Sequence, residues 1–218
     1  MMADTRPLLV LGTRLLAEEL SDLMADLPQW ELAGYVENLE RERCQNTLCG
    51  RPIFWIEEIG PLSATHHAIC GISTPLRWQF VEQVQKCGMP FATLVHPLAR
   101  LSPSSSLGPG SLLSPGAIVA SNTRIGSHVF INRGVLIGHH TVIEDYVSLQ
   151  PGANIAGVCS IGERTVIGMG AIVIDHVSIG RNCFVAAGAV VTKDLPDNSR
   201  VVGVPARPMP TALSGATG

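Results

Sequence analysis

From Leu101 to Val191, every sixth residue is Leu, Ile or Val, sixteen positions in succession. No α-helix keeps that register, because 3.6 residues per turn do not divide into six. The residue two places before each is small or β-branched, as at Ala117, Thr123, Val129, Thr141, Ala153 and Cys159. The residue after is often glycine, as at Gly108, Gly126, Gly138, Gly162, Gly168 and Gly180. This pattern predicts a solenoid of short parallel strands, each with one large aliphatic side chain pointing inward. Equivalent positions would stack coil upon coil at about 4.8 Å, with glycines at tight corners.

The first hundred residues have a different grammar. "RPLLVLGTR", "WELAGYVEN", "HHAICGIS" and "PFATLVHP" read as strands; "LLAEELSDLMADL" and "PLRWQFVEQVQKCG" read as helices. Strand–helix–strand alternation predicts a small parallel sheet. The joint is "VHPLARLSPSSSLGPG", rich in Pro, Ser and Gly. The expected organisation is a small α/β Rossmann-like domain over residues 1–97, an all-β parallel helix over 98–210 and a flexible tail over 211–218.

Net charge is −3, so no polybasic surface points to nucleic acid or anionic lipid. No apolar run approaches the ~20 residues of a spanning helix. The N-terminal stretch lacks the apolar segment and cleavage site of a signal peptide, and the six cysteines show no paired spacing. A cytoplasmic protein with reduced thiols is expected.

The first β–α turn, "LGTRLL", is a natural phosphate site, because helix N-terminal amides point there. The amides of Gly12 and Thr13 would meet phosphate, Arg14 would supply charge, and Glu37 and Asn38 would meet ribose or base. The G-x-G-x-x-G fingerprint is absent, and taken alone the turn reads as ordinary packing.

The hexad pattern resembles the left-handed β-helix superfamily of hexapeptide-repeat acyltransferases. The order of the two halves, the His96–Pro97 joint, "INRGVLIGHH", "PGANIAG" and "GAVVTKDLPDNSRVVGVPARPM" together resemble one branch of it. That branch is the bacterial nucleotide-sugar N-acetyltransferases, grouped with the sialic acid O-acetyltransferases. The resemblance implies eighteen residues per triangular coil, about five coils, and a homotrimer with acetyl-CoA held between neighbouring subunits. It implies a nucleotide sugar in the N-terminal domain, on Gly12, Thr13, Arg14, Glu37, Asn38 and Ser73. It places the general base at His139 and the cofactor along Ala156, Gly157, Met169, Ala187, Lys193 and Pro205, with no metal. His140 stands where that branch often has an acidic residue, which makes it the candidate modulator of the base.

With eighteen residues per coil, Gly157 falls directly over His139. A glycine amide beside a base could receive the oxyanion of an attacked thioester. Asn132 follows the inward Ile131 and could orient substrate or cap a turn. His128 and His176 are expected as solvated corners, His66 and His67 as loop residues, and His96 as a structural joint. Val135, Leu136, Val147 and Phe184 are expected on the outer faces, where subunit contacts would cover some of them. Two other classes remain open: a metal-dependent hydration enzyme using His128, His139 and His140, and a non-catalytic solenoid that binds a nucleotide sugar. Within acyl transfer, an amine on a nucleotide-linked sugar is the first expected acceptor and a sugar hydroxyl the second.

Overall fold

The computed structural model describes residues 5–74 and 76–209. The chain divides between Pro97 and Leu98 into two compact units. The expected tail at 211–218 lies outside the described residues.

The first unit is built on a five-stranded sheet. Strand β1 (Arg6–Leu11) lies inside it, flanked on both sides, and is followed by helix α1 (Leu15–Met24) and strand β2 (Trp30–Glu37). Strands β3 (Thr47–Leu48), β4 (Arg51–Trp55) and β5 (His67–Cys70) and helix α2 (Arg77–Lys86) complete it. The order is β3-β4-β2-β1-β5, parallel except for the β3–β4 hairpin. That hairpin escaped the sequence reading. Its turn is Cys49–Gly50, both with positive φ, the geometry that matches strand twist in a two-residue loop. The apolar run Leu8–Leu11 is completely buried, as a central parallel strand requires. "PFATLVHP" forms only a single bridge at Phe91 and a two-residue strand, Leu94–Val95. His67 belongs to β5 rather than to a loop, and its ring meets Trp30 edge-on.

The second unit is a parallel β-helix made of two-residue strands. Three sheets run along it, each pairing residue i with i+18: Ile118 with Leu136, Arg124 with Val142 and Phe130 with Ser148. Both inward columns are buried, the aliphatic one and the small one two residues before it. Val135 and Val147 therefore sit fully in the core, not on the outer faces, because they belong to that second column. Leu136 does face outward, at 41% exposure. Strand Arg200–Val202 closes the third sheet on Phe184–Val185, and the antiparallel strand Arg207–Pro208 ends it.

Two corner rules emerge. Glycine directly after the aliphatic residue allows close coil stacking: a β-carbon on Gly138 would stand 2.5 Å from the Gly157 nitrogen. The left-handed backbone falls two residues later, third after the aliphatic residue, at Asn122, His128, Gly134, His140, Tyr146, Gly152 and Val158. Glycine, Asn and His occupy such φ with least strain. His140 thus fills a left-handed slot, while His139 precedes it in the same turn.

Candidate active site

The corner at His139 is clamped from inside. Buried Thr141 donates its hydroxyl to the Ala156 carbonyl (3.3 Å) and accepts from the Cys159 amide (3.3 Å), tying this coil to the next. The Val158 amide also donates to the His139 carbonyl, at 2.8 Å. The imidazole is exposed and lies against Gly157. A β-carbon on Gly157 would stand 2.9 Å from its Cε1 and Nε2, so a larger residue there would push the ring out of this position. His139 Nδ1 is 3.1 Å from His140 Nδ1, with the rings edge to face, and Nε2 is the nitrogen left for chemistry.

The amides at this corner position differ in how they are used. Those of Ser127, Arg133, Glu163 and Arg181 donate to side-chain oxygens of Asp145, Asn132, Glu144 and Asp197. The Gly157 amide, like those of Ser121, His139, Asp145, Met169, Asp175, Ala187 and Lys193, donates to no acceptor among the described residues; it is the one that lies on the coil directly over the His139 ring. An unspent backbone donor beside an imidazole nitrogen can stabilise a developing oxyanion.

The other sequence candidates fall in several places. The Asn132 side chain accepts from the Arg133 amide at 2.7 Å and so closes its own corner. Ala156, Gly157 and Lys193 belong to the His139 corner, with Gly157 and Lys193 in its own column. Met169 and Ala187 stack on the corner that follows the third sheet, and exposed Pro205 lies in the turn before Arg207–Pro208. One chain therefore divides the expected cofactor residues between two corners. His128 is not a solvated corner: it is 4% exposed, packs on Gly110 and stacks on Tyr146. His176 is exposed as expected. No cluster of three or more His, Cys, Asp or Glu side chains stands ready for a metal among the described residues. Asn122, absent from the sequence reading, places its amide 3.3 Å from His140 Nε2. It lies eighteen residues before His140, so stepping back one coil would have found it.

The first unit holds a pocket of about 610 Å³ at the carboxyl ends of its strands. Gly12, Thr13 and Arg14 follow β1, Glu37 and Asn38 end β2, and Gly71, Ile72 and Ser73 follow β5. β1 and β5 flank the point where strand order reverses, where ligands of open α/β sheets bind. All six expected substrate residues line it. Glu37 is 6% exposed and its carboxylate is engaged from within. It accepts from the Thr13 hydroxyl and from the amides of Asn38 (3.0 Å), Leu39 (2.8 Å) and Glu40 (3.4 Å). Burial alone would raise this carboxyl; the hydrogen bonds outweigh it and hold the group below its ordinary value. Arg43 lines the pocket too, 3.7 Å from Glu37, and Arg14 pairs with Glu40. Arg43 follows no motif, which is why spacing did not reveal it.

Residues 122–157 and 158–193 match the bacterial transferase hexapeptide (six repeats) family. Perosamine N-acetyltransferase from Caulobacter crescentus, solved as a histidine-to-asparagine variant with CoA and GDP-perosamine, superposes with a TM-score of 0.86. It is 26% identical, over 94% of this chain and 97% of that one. The acetyltransferase domain of PglB from Neisseria gonorrhoeae, in complex with acetyl coenzyme A, also gives 0.86. It is 27% identical, over 94% and 100% of the two chains. Serine acetyltransferase from Synechococcus elongatus is 33% identical over 94 residues, and the match spans 38% of each protein. The α/β unit followed by a left-handed parallel β-helix is therefore the architecture of the hexapeptide-repeat sugar acetyltransferases.

Proposed function

We propose that this chain, which shares the architecture of those sugar acetyltransferases, transfers an acetyl group from acetyl-CoA to the amino group of a nucleotide-linked sugar. The observation that carries this reading is the His139–Gly157 pair: an imidazole nitrogen and an unspent amide on adjacent coils. His139 Nε2 takes a proton as the neutral amine forms its bond to the thioester carbonyl carbon. The Gly157 amide holds the oxyanion while it exists. As the C–S bond breaks, the imidazolium returns the proton to the departing thiolate, leaving an amide and CoA thiol.

The nucleotide occupies the pocket of the first unit, with Gly12 and Thr13 at phosphate, Arg14 as its charge partner, and Asn38 and Ser73 beside the nucleoside. Glu37 shapes the pocket floor instead of competing for solvent. The two sets of cofactor residues, Ala156, Gly157 and Lys193 on one corner and Met169, Ala187 and Pro205 on the other side, serve one acetyl-CoA if neighbouring subunits face each other. This supports a homotrimer with its active site between subunits. Outward residues Ile118, Leu136 and Ile172, each more than 40% exposed, give such contacts apolar surface.

The test is thiol release from acetyl-CoA across a panel of nucleotide-linked sugars bearing either an amine or a hydroxyl at the acceptor position. Turnover with amino sugars is expected. Turnover with hydroxyl sugars alone would move the acceptor class, and release with neither would remove the activity. Light scattering is expected to give three chains per particle; a monomer at working concentration would end the intersubunit site.

A further inference from the structure

The Asn122 side chain and both histidines form a chain of hydrogen bonds that ends at the candidate base. Asn122 and His140 occupy the same left-handed slot on successive coils. The amide is 3.3 Å from His140 Nε2, and His140 Nδ1 is 3.1 Å from His139 Nδ1. Each link needs one donor and one acceptor, so the direction of the first link sets the others.

With Asn122 Nδ2 facing the ring, as observed, the amide donates to His140 Nε2. His140 Nδ1–H then donates to His139 Nδ1, and the single proton of a neutral His139 resides on Nε2. That nitrogen cannot take another. If Oδ1 faces the ring instead, every link reverses: His140 Nε2–H donates to Oδ1, and His139 Nδ1–H donates to His140 Nδ1. His139 Nε2 is then bare beside Gly157. The same direction also suits the imidazolium, whose Nδ1–H goes on donating to His140. The Asn122 side chain makes no other hydrogen bond among the described residues, and the two ends of an amide are nearly isosteric. A half-turn of the terminal torsion therefore switches the chain from one direction to the other.

We propose that Asn122 is a positioning residue: accepting through Oδ1, it acts through His140 to hold His139 in the Nδ1–H form that leaves Nε2 free as the base. This rests on the assignment of His139 as general base. A neutral amide and a second imidazole would then orient the base where other chains could use a carboxylate.

The test uses the full-length chain with ¹⁵N-labelled histidine. NMR correlations of the ring nitrogens read which nitrogen of His139 carries the proton, independently of turnover. Asn122→Gly removes the amide yet keeps the left-handed backbone without strain. Asn122→Asp leaves only acceptor oxygens. The native chain and Asn122→Asp are expected to show the proton on Nδ1; Asn122→Gly is expected to lose that preference. Its kcat should fall about 3–10-fold, the worth of one hydrogen bond, with KM for both substrates unchanged. In a His140→Phe background, Asn122→Gly should have no further effect. An unchanged proton position and kcat in Asn122→Gly, with His139→Ala inactive, would overturn the relay alone. Activity in His139→Ala would instead overturn the assignment of the base.

Discussion

The pocket of the first unit and the His139 corner of the second are both lined with polar groups, but they spend them differently. In the pocket, the buried Glu37 carboxylate is saturated by Thr13 and three backbone amides. At the corner, His139 Nε2 and the Gly157 amide have no hydrogen-bond partner among the described residues. Groups satisfied within the protein build a rigid shape for a ligand to fit. Groups left unsatisfied at a surface are available to a reaction. The contrast fits the proposal that the first unit binds and the second carries the chemistry.

The largest expected effect tests the chemical side. His139→Ala should lower kcat on the order of 10²–10⁴-fold while acetyl-CoA binding, measured by calorimetry, stays near native. Equal losses of binding and turnover would mean that His139 holds the cofactor and is not the base. Gly157→Ala comes next. Its methyl group would meet the imidazole at 2.9 Å, so the ring must move. A base displaced by about 1 Å costs on the order of 10²-fold in kcat. An unchanged thermal midpoint alongside that loss would place the effect in the site; full activity would show that the ring does not work from this position.

How much of this was legible beforehand follows from periodicity. The repeat locates Gly157 over His139 because stacking at eighteen residues is arithmetic, and the structure pairs the strands in that register. The same arithmetic also leads from His140 back to Asn122, and it puts Val135 and Val147 in the column of buried Val129, positions that residue type alone does not reveal. His128 and His139 share a residue type and a glycine neighbour, yet one is stacked under Tyr146 and the other is exposed. His140 and His176 share the left-handed slot of His128 and are exposed, so what buries His128 is its neighbours on the adjacent coils, Gly110 and Tyr146. In the first unit no repeat exists. The β3–β4 hairpin and Arg43 are placed by tertiary packing, so local pattern alone does not reveal them.

The smallest expected effect tests the binding side, through Glu37. Its carboxyl is held below the ordinary value in the folded protein, because hydrogen bonds to the charged form outweigh burial. A depressed folded value means that the unfolded chain binds a proton more readily. The stability this group contributes is thus fully present above the ordinary carboxyl value of 4.5, and it is lost as pH falls through the lower folded value. Glu37→Gln removes the titration and replaces one acceptor oxygen with a donor. Near neutral pH the variant should melt at a lower temperature than the native protein, and the gap should narrow as pH drops below 4.5. The loop at 38–40 should loosen with it, since its three amides lose a charged acceptor. KM for the nucleotide sugar should then rise about 3–10-fold, with kcat nearly unchanged, because only the pocket's preorganisation is disturbed. A large fall in kcat with KM intact would mean that the pocket takes part in the chemistry, and would break the division of labour between the two units. A melting gap that widens toward acid would contradict the direction of the Glu37 shift itself.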